Sequence, residues 1–147
     1  MTDFSLDIDI QAPPQVVWEI IRDGERWPEW TPTVTSVKLL NPGPLAIGSR
    51  ALIHQPKLPP AKWQVTDLDE SGRSFTWVSG GLGVLVTARH SVEACGTGSR
   101  ATLSLRFSGV LGGLVARLTR DLNNRYLALE AKGLKKRSED QARNSSA

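Results

Sequence analysis

Few side chains in this sequence stand where they could do chemistry, and His90 is the first of them. It falls within residues 84–93, where Val84, Val86, Ala88, His90 and Val92 alternate and only the imidazole is not apolar. Residues i and i+2 of a strand share a face, so a titratable ring is set on an otherwise hydrophobic surface. An imidazole there can transfer a proton, orient a bound molecule, or rest neutral against a backbone or hydroxyl partner. No definite partner can be read from the sequence, so His90 is both the candidate catalytic residue and a candidate ligand contact.

Gln55, on the same parity as Ala51 and Ile53, adds a donor and an acceptor without acid–base ability. Five tryptophans stand at 18, 27, 30, 63 and 77. Indoles make large rigid pocket walls that keep one N–H for a polar contact. Trp30, Trp63 and Trp77 read as pocket wall or core, and Trp18 and Trp27 as staples holding short helices to a sheet. Cys95 has no histidine placed near it by sequence, no serine lies in a Gly-x-Ser-x-Gly turn, and residues 80–83 lack the lysine and helix of a phosphate loop. No metal-ligand cluster is legible, so no metal or cofactor is expected. Residues 80–83 read instead as a mobile connection near a cavity mouth.

The elements that must position these groups follow from periodicity. Phe4, Leu6, Ile8 and Ile10 alternate as a half-buried strand, which Ala12-Pro13-Pro14 ends. Residues 15–23 form a short helix closed by Gly24, and Trp27-Pro28-Glu29-Trp30 a single helical turn. Strands are expected at 33–40, 48–55, 61–68, 74–79, 84–93 and 99–108, separated by turn signals such as Asn41-Pro42-Gly43-Pro44 and Glu70-Ser71-Gly72. Inward sets are Trp63 and Val65, Phe75 and Trp77, and Ala101, Leu103, Leu105 and Phe107.

A long helix at 111–136 follows, its apolar stripe read as Leu111, Leu114, Val115, Leu118, Leu122, Tyr126 and Leu129, with Arg125 at its edge. Leu118, Leu122 and Tyr126 are thereby candidate ligand contacts. Residues 138–147, without apolar periodicity, read as a frayed tail, which leaves 1–137 as the domain. Strands joined by hairpin-length turns, then one helix, mean an α+β protein whose seven-stranded antiparallel sheet curls around that helix.

The bulk properties narrow the classes. At 147 residues the chain fits one domain. No apolar run could span a bilayer, and the N-terminus lacks signal-peptide character. A single cysteine excludes an internal disulfide. A cytoplasmic protein without stable membrane insertion is expected. The net charge of +3 is concentrated from Arg117 onward, where eight Lys or Arg face four Asp or Glu. Those cations are not interleaved with stacking aromatics, so no nucleic-acid partner is expected. They read as a solvated helix face, or alternatively as a docking face for an anionic partner.

The order of elements, with Ala12-Pro13-Pro14-Gln15-Val16-Val17-Trp18, Trp27-Pro28-Glu29-Trp30, Ile47-Gly48-Ser49-Arg50, Trp63-Gln64-Val65, Phe75-Thr76-Trp77 and His90-Ser91-Val92-Glu93, resembles the START-like superfamily of polyketide cyclase/dehydrase and lipid-transport proteins. The resemblance implies the helix-grip fold, with two short helices after the first strand. It also implies a small hydrophobic ligand, lipid-, aromatic- or polyketide-like, held between sheet and C-terminal helix. Alternatives are a cyclase or dehydratase using an inward polar group such as His90, and an interaction module docking through the basic helix face.

Overall fold

The computed structural model describes residues 2–146. Seven strands, β1 (Thr2–Ile10), β2 (Ser36–Leu39), β3 (Arg50–His54), β4 (Ala61–Asp69), β5 (Ser74–Gly81), β6 (Val84–Cys95) and β7 (Gly98–Ser108), form one antiparallel sheet in the order β1-β7-β6-β5-β4-β3-β2. The chain leaves β1 at one edge and crosses to β2 at the other through α1 (Pro14–Arg22) and a 3-10 helix, Gly24–Glu29. After β7 come α2 (Gly112–Leu118) and α3 (Arg120–Ser146). The α+β architecture, the seven antiparallel strands and the paired short helices are those expected.

The inward faces follow the alternation. Ala51 and Ile53 on β3, Val65 on β4, Phe75 and Trp77 on β5, Ala88, His90 and Val92 on β6, and Ala101, Leu103 and Phe107 on β7 are buried. α1 begins at Pro14, where the missing N–H costs nothing, and buries Val17, Trp18, Ile20 and Ile21. Residues 80–83 are a tight hairpin turn rather than a loose connection. Gly81 pairs with Val84, and Leu82 and Gly83 have φ of 33° and 83°, the two positive values a two-residue turn requires. The carbonyl of Gly83 then accepts from Leu111 N–H at 2.9 Å, tying this turn to the start of α2.

The helix departs from its expected form in three ways. It is broken at Thr119, whose hydroxyl donates to Val115 O at 2.7 Å and accepts from Asn123 Nδ2 at 2.9 Å. The backbone bonds from Thr119 N–H to Val115 O and from Asn123 N–H to Thr119 O are kept, so the interruption is a local distortion of Thr119, at φ −109° and ψ 13°. Second, Leu111, Leu114 and Leu118 face solvent, Leu118 with 76% of its surface exposed. The buried stripe is Ala116, Asn123, Leu127, Ala131, Leu134 and Ser138, at the 3–4 spacing of a helix face. Hydrophobic periodicity missed it because most of its members are small or polar.

Third, residues from Ser138 onward do not form a frayed tail: α3 runs through to Ser146, with Ser138 fully buried and Ala142 against the core. Lys135–Glu139 at 2.6 Å and Lys136–Asp140 at 2.8 Å are i,i+4 pairs that support the helix where apolar residues do not. Glu139 also accepts from Gln11 N–H at 2.8 Å, and Lys135 and that amide together hold its carboxyl below the usual carboxylate range. Among the described residues no helix is long and apolar enough to cross a membrane.

α3 lies tight against the rest of the chain at Gly133, where an added methyl would overlap the backbone carbonyl of Trp30. On propensity alone Gly→Ala within a helix stabilises by about 1 kcal/mol. Here the clash is with backbone that cannot rotate away, and overpacking of that kind costs roughly 1–3 kcal/mol. Net of the propensity gain, Gly133→Ala is therefore expected to cost up to about 2 kcal/mol and to lower the melting temperature by up to roughly 8 °C. A rise on thermal unfolding would show that the helix does not lie so close.

Candidate functional site

A cavity of about 250 Å³ lies between the concave face of the sheet and the segment from α2 to the middle of α3. β4 and β5 supply Trp63 and Trp77, β6 supplies Val86, Ala88 and His90, and β7 supplies Leu103, Leu105 and Phe107. The strand register explains the grouping: Phe75 lies opposite His90, Trp77 opposite Ala88, and Ala88 opposite Leu105. The helical wall is Val115, Thr119, Asn123, Tyr126, Leu127 and Glu130, one face that continues across Thr119 at spacings of three and four.

His90 is only 5% exposed. Its ring stacks on Phe75 at 4.8 Å and 8°, and Trp27 lies across it at 5.1 Å. Its Nε2 is 3.1 Å from Oε1 of Glu130, whose side chain is 13% exposed. A carboxylate only accepts, so the contact requires the proton on Nε2, and a neutral His90 then presents Nδ1 as a lone-pair acceptor. That Nδ1 has no partner within the protein, and neither does the buried Nε1–H of Trp63. Both atoms belong to residues that line the cavity but are themselves fully buried, as are the unpaired Nε1–H of Trp30 and hydroxyl of Ser138 away from it, so a ligand reaches His90 Nδ1 or Trp63 Nε1 only by shifting the side chains around them.

Three other polar side chains of the wall each make one bond within the protein. Gln55 Nε2 donates to Thr33 O at 3.2 Å, Asn123 Nδ2 donates to Thr119 Oγ1, and the Tyr126 hydroxyl donates to Pro56 O. Tyr126 thereby straps α3 to the connection between β3 and β4. No group of three or more His, Cys, Asp or Glu among the described residues is placed to hold a metal ion.

Five of the residues singled out from the sequence line this cavity: Gln55, Trp63, Trp77, His90 and Tyr126. Three do not. Trp30 is buried behind Trp27 at 5.7 Å, against α3 at Gly133. Leu118 points to solvent because it lies on the side of α2 opposite the buried Ala116. Leu122 is half-buried but outside the lining. Trp18 does staple α1 to the sheet, fully buried near Phe75, with its indole N–H donating to Glu70 Oε2 at 3.3 Å. Trp27 belongs to the cavity wall as well as to the core.

Glu130, Asn123 and Thr119 were not anticipated. Glu130 reads in sequence as one more surface charge on a basic helix. The signal that could have found it is its place on the face of Asn123, Leu127 and Leu134, respectively seven and three residues before it and four after it.

A family model described as polyketide cyclase / dehydrase and lipid transport matches residues 1–139. No curated protein sequence matches the chain. Among solved structures, TTHA0849 from Thermus thermophilus superposes with a TM-score of 0.77 at 18% identity, covering 96% of this chain and 99% of that one. Ara h 8.0201 gives 0.67 at 14% identity, over 90% and 97%. The di-domain ARO/CYC BexL from the BE-7585A biosynthetic pathway gives 0.70 at 19% identity, over 92% of this chain and 45% of BexL. At such identities the likeness is one of fold, and the fold is the helix-grip.

The contact between His90 and Glu130 sets a stability expectation. Glu130→Ala strands the imidazole N–H in an apolar wall, which should cost about 1–3 kcal/mol in urea unfolding. Glu130→Gln keeps an acceptor for Nε2 and should cost clearly less. Equal losses would mean that the hydrogen bond is not formed.

Proposed function

The chain belongs to the polyketide cyclase / dehydrase and lipid transport family, and we propose that it binds a small ring-containing hydrophobic molecule between the sheet and α3. The observation that carries this reading is the cavity itself, about 250 Å³ with mostly apolar walls and two buried polar atoms left unpaired. An engineered apolar cavity of roughly 150 Å³ holds a benzene, so the space suits one or two fused rings rather than a molecule with long acyl chains.

Affinity would come from two sources. A ring system the size of an aromatic side chain buries about 200 Å², worth roughly 5 kcal/mol at ~25 cal/mol per Å². Alone that corresponds to a Kd of a few tenths of a millimolar. Hydrogen bonds to the Nδ1 of His90 and the N–H of Trp63 would bring binding into a useful range and fix orientation. Trp63 and Trp77 in the wall make such binding visible as a change in intrinsic fluorescence. Ala88 stands at the centre of the sheet wall, and Ala88→Phe would fill the space. The expectation is at least a tenfold weaker interaction with bicyclic aromatics, with the folded state retained. Unchanged affinity would place the ligand elsewhere.

One observation favours an enzymatic reading as the second possibility. An imidazole held in one tautomer by a carboxylate is the arrangement a general base requires. In such a reaction Nδ1 of His90 takes a proton from carbon next to a ligand carbonyl, the electron pair passes to the carbonyl oxygen as the enolate, and the proton returns at the same or a neighbouring carbon. Incubation with 2-tetralone in deuterium oxide tests it by NMR. Exchange of the α-hydrogens above the buffer rate, lost in His90→Gln, is expected of an enzyme; exchange at the buffer rate leaves binding alone.

A further inference from the structure

Resting on the binding reading above, we infer that Glu130 makes the cavity a charge filter, which takes uncharged ring molecules bearing a hydrogen-bond donor and rejects carboxylates of the same size. The cavity wall contains no lysine and no arginine among the described residues. The basic residues nearest in sequence, Arg125 and Lys132, are exposed on α3, where water screens them. The charged groups that face the bound molecule are therefore Glu130 and, if it is protonated, His90, and an imidazolium 3.1 Å from Glu130 is already neutralised by it.

The hydrogen-bond inventory points the same way. A buried carboxylate needs several donors or a cation to replace its water. The Tyr126 hydroxyl is spent on Pro56 O, while Gln55 and Asn123 each commit one amide N–H, to Thr33 O and Thr119 Oγ1, and keep a second. Those second amide N–H groups and the buried, unpartnered indole N–H of Trp63 are neutral donors, and none supplies a cation to offset Glu130. In contrast, the neutral form of His90 that donates to Glu130 offers Nδ1 as an acceptor, buried and without a partner. A phenol, alcohol or N–H group on the ligand supplies the missing donor, and its own oxygen or a second acceptor can take the N–H of Trp63.

Three ligands of one ring system separate these contributions: naphthalene, 2-naphthol and 2-naphthoate, titrated into the full chain near neutral pH by tryptophan fluorescence and calorimetry. 2-Naphthol is expected to bind tightest, naphthalene more weakly, and 2-naphthoate about tenfold or more below 2-naphthol, since like charges a few ångströms apart repel strongly in a poorly screened site. In Glu130→Gln the gap between naphthoate and naphthol should narrow about fivefold or more, with naphthalene affinity little changed, because only the charge has been removed. In His90→Phe, which keeps an aromatic ring against Phe75, the advantage of naphthol over naphthalene should vanish. Naphthoate binding the wild-type chain as tightly as naphthol, or a gap that persists in Glu130→Gln, overturns the filter while naphthalene binding still supports the cavity reading. Absence of binding by all three overturns the cavity reading and the filter with it.

Discussion

One helix has to cover the concave face of seven strands, and it does so unevenly. At 1.5 Å per residue α3 is roughly 40 Å long, and its two halves meet the sheet side differently. Around Ala131, Gly133 and Leu134 the helix is packed tight: Gly133 leaves no room for a methyl against the Trp30 carbonyl, and Leu134 is fully buried. Toward Thr119 and Asn123 the helix faces the cavity instead. The close contact at one end holds the helix against the end of the 3-10 helix, and the other end is left over an unfilled volume.

The pair formed by His90 and Glu130 stands at the boundary between the filled and the empty halves. Taking a carboxylate and an imidazole out of water is costly unless they meet each other well. They do so here, with His90 stacked on Phe75 and its Nε2 directed to Glu130. The same contact selects the tautomer of His90 and leaves Nδ1 unused. A structural interaction between β6 and α3 thus also sets the polarity of the cavity. Its wall is apolar ring and aliphatic surface with a negative group at one place and no positive side chain among the described residues. The fold, shared with structures under 20% identical, does not by itself dictate that combination.

Strand faces were legible from the sequence because they depend on a local rule. Alternation with period two placed Ala51, Ile53, Trp63, Val65, Phe75, Trp77, Ala88 and His90 on one side of the sheet, and the structure keeps them there. Turn chemistry fixed the hairpins that bring His90 opposite Phe75. Apolar periodicity supplied a long helix after them, and the resemblance to START-like proteins the grip of the sheet around it. Gln55, Trp63, Trp77, His90 and Tyr126 line the cavity as read, whereas Trp30, Leu118 and Leu122, read alongside them, do not.

Tertiary structure alone decided which face of the helix turned inward and what it brought with it. A helix buries what fits, and close to the sheet the fitting residues are Ala116, Asn123, Ala131, Gly133 and Ser138, which carry little hydrophobic signal. The leucines at 111, 114 and 118 suggested a stripe, but they face solvent while the small Ala116 is buried. Ion pairs and the buried Ser138 carried α3 past the point where apolar periodicity ended. Glu130 had the composition of a surface charge and became the partner of His90, because its inward position depends on a residue forty places earlier in the chain. Period and turn residues are properties of neighbours along the chain and can be read there; the partner of a buried histidine is a property of packing and cannot.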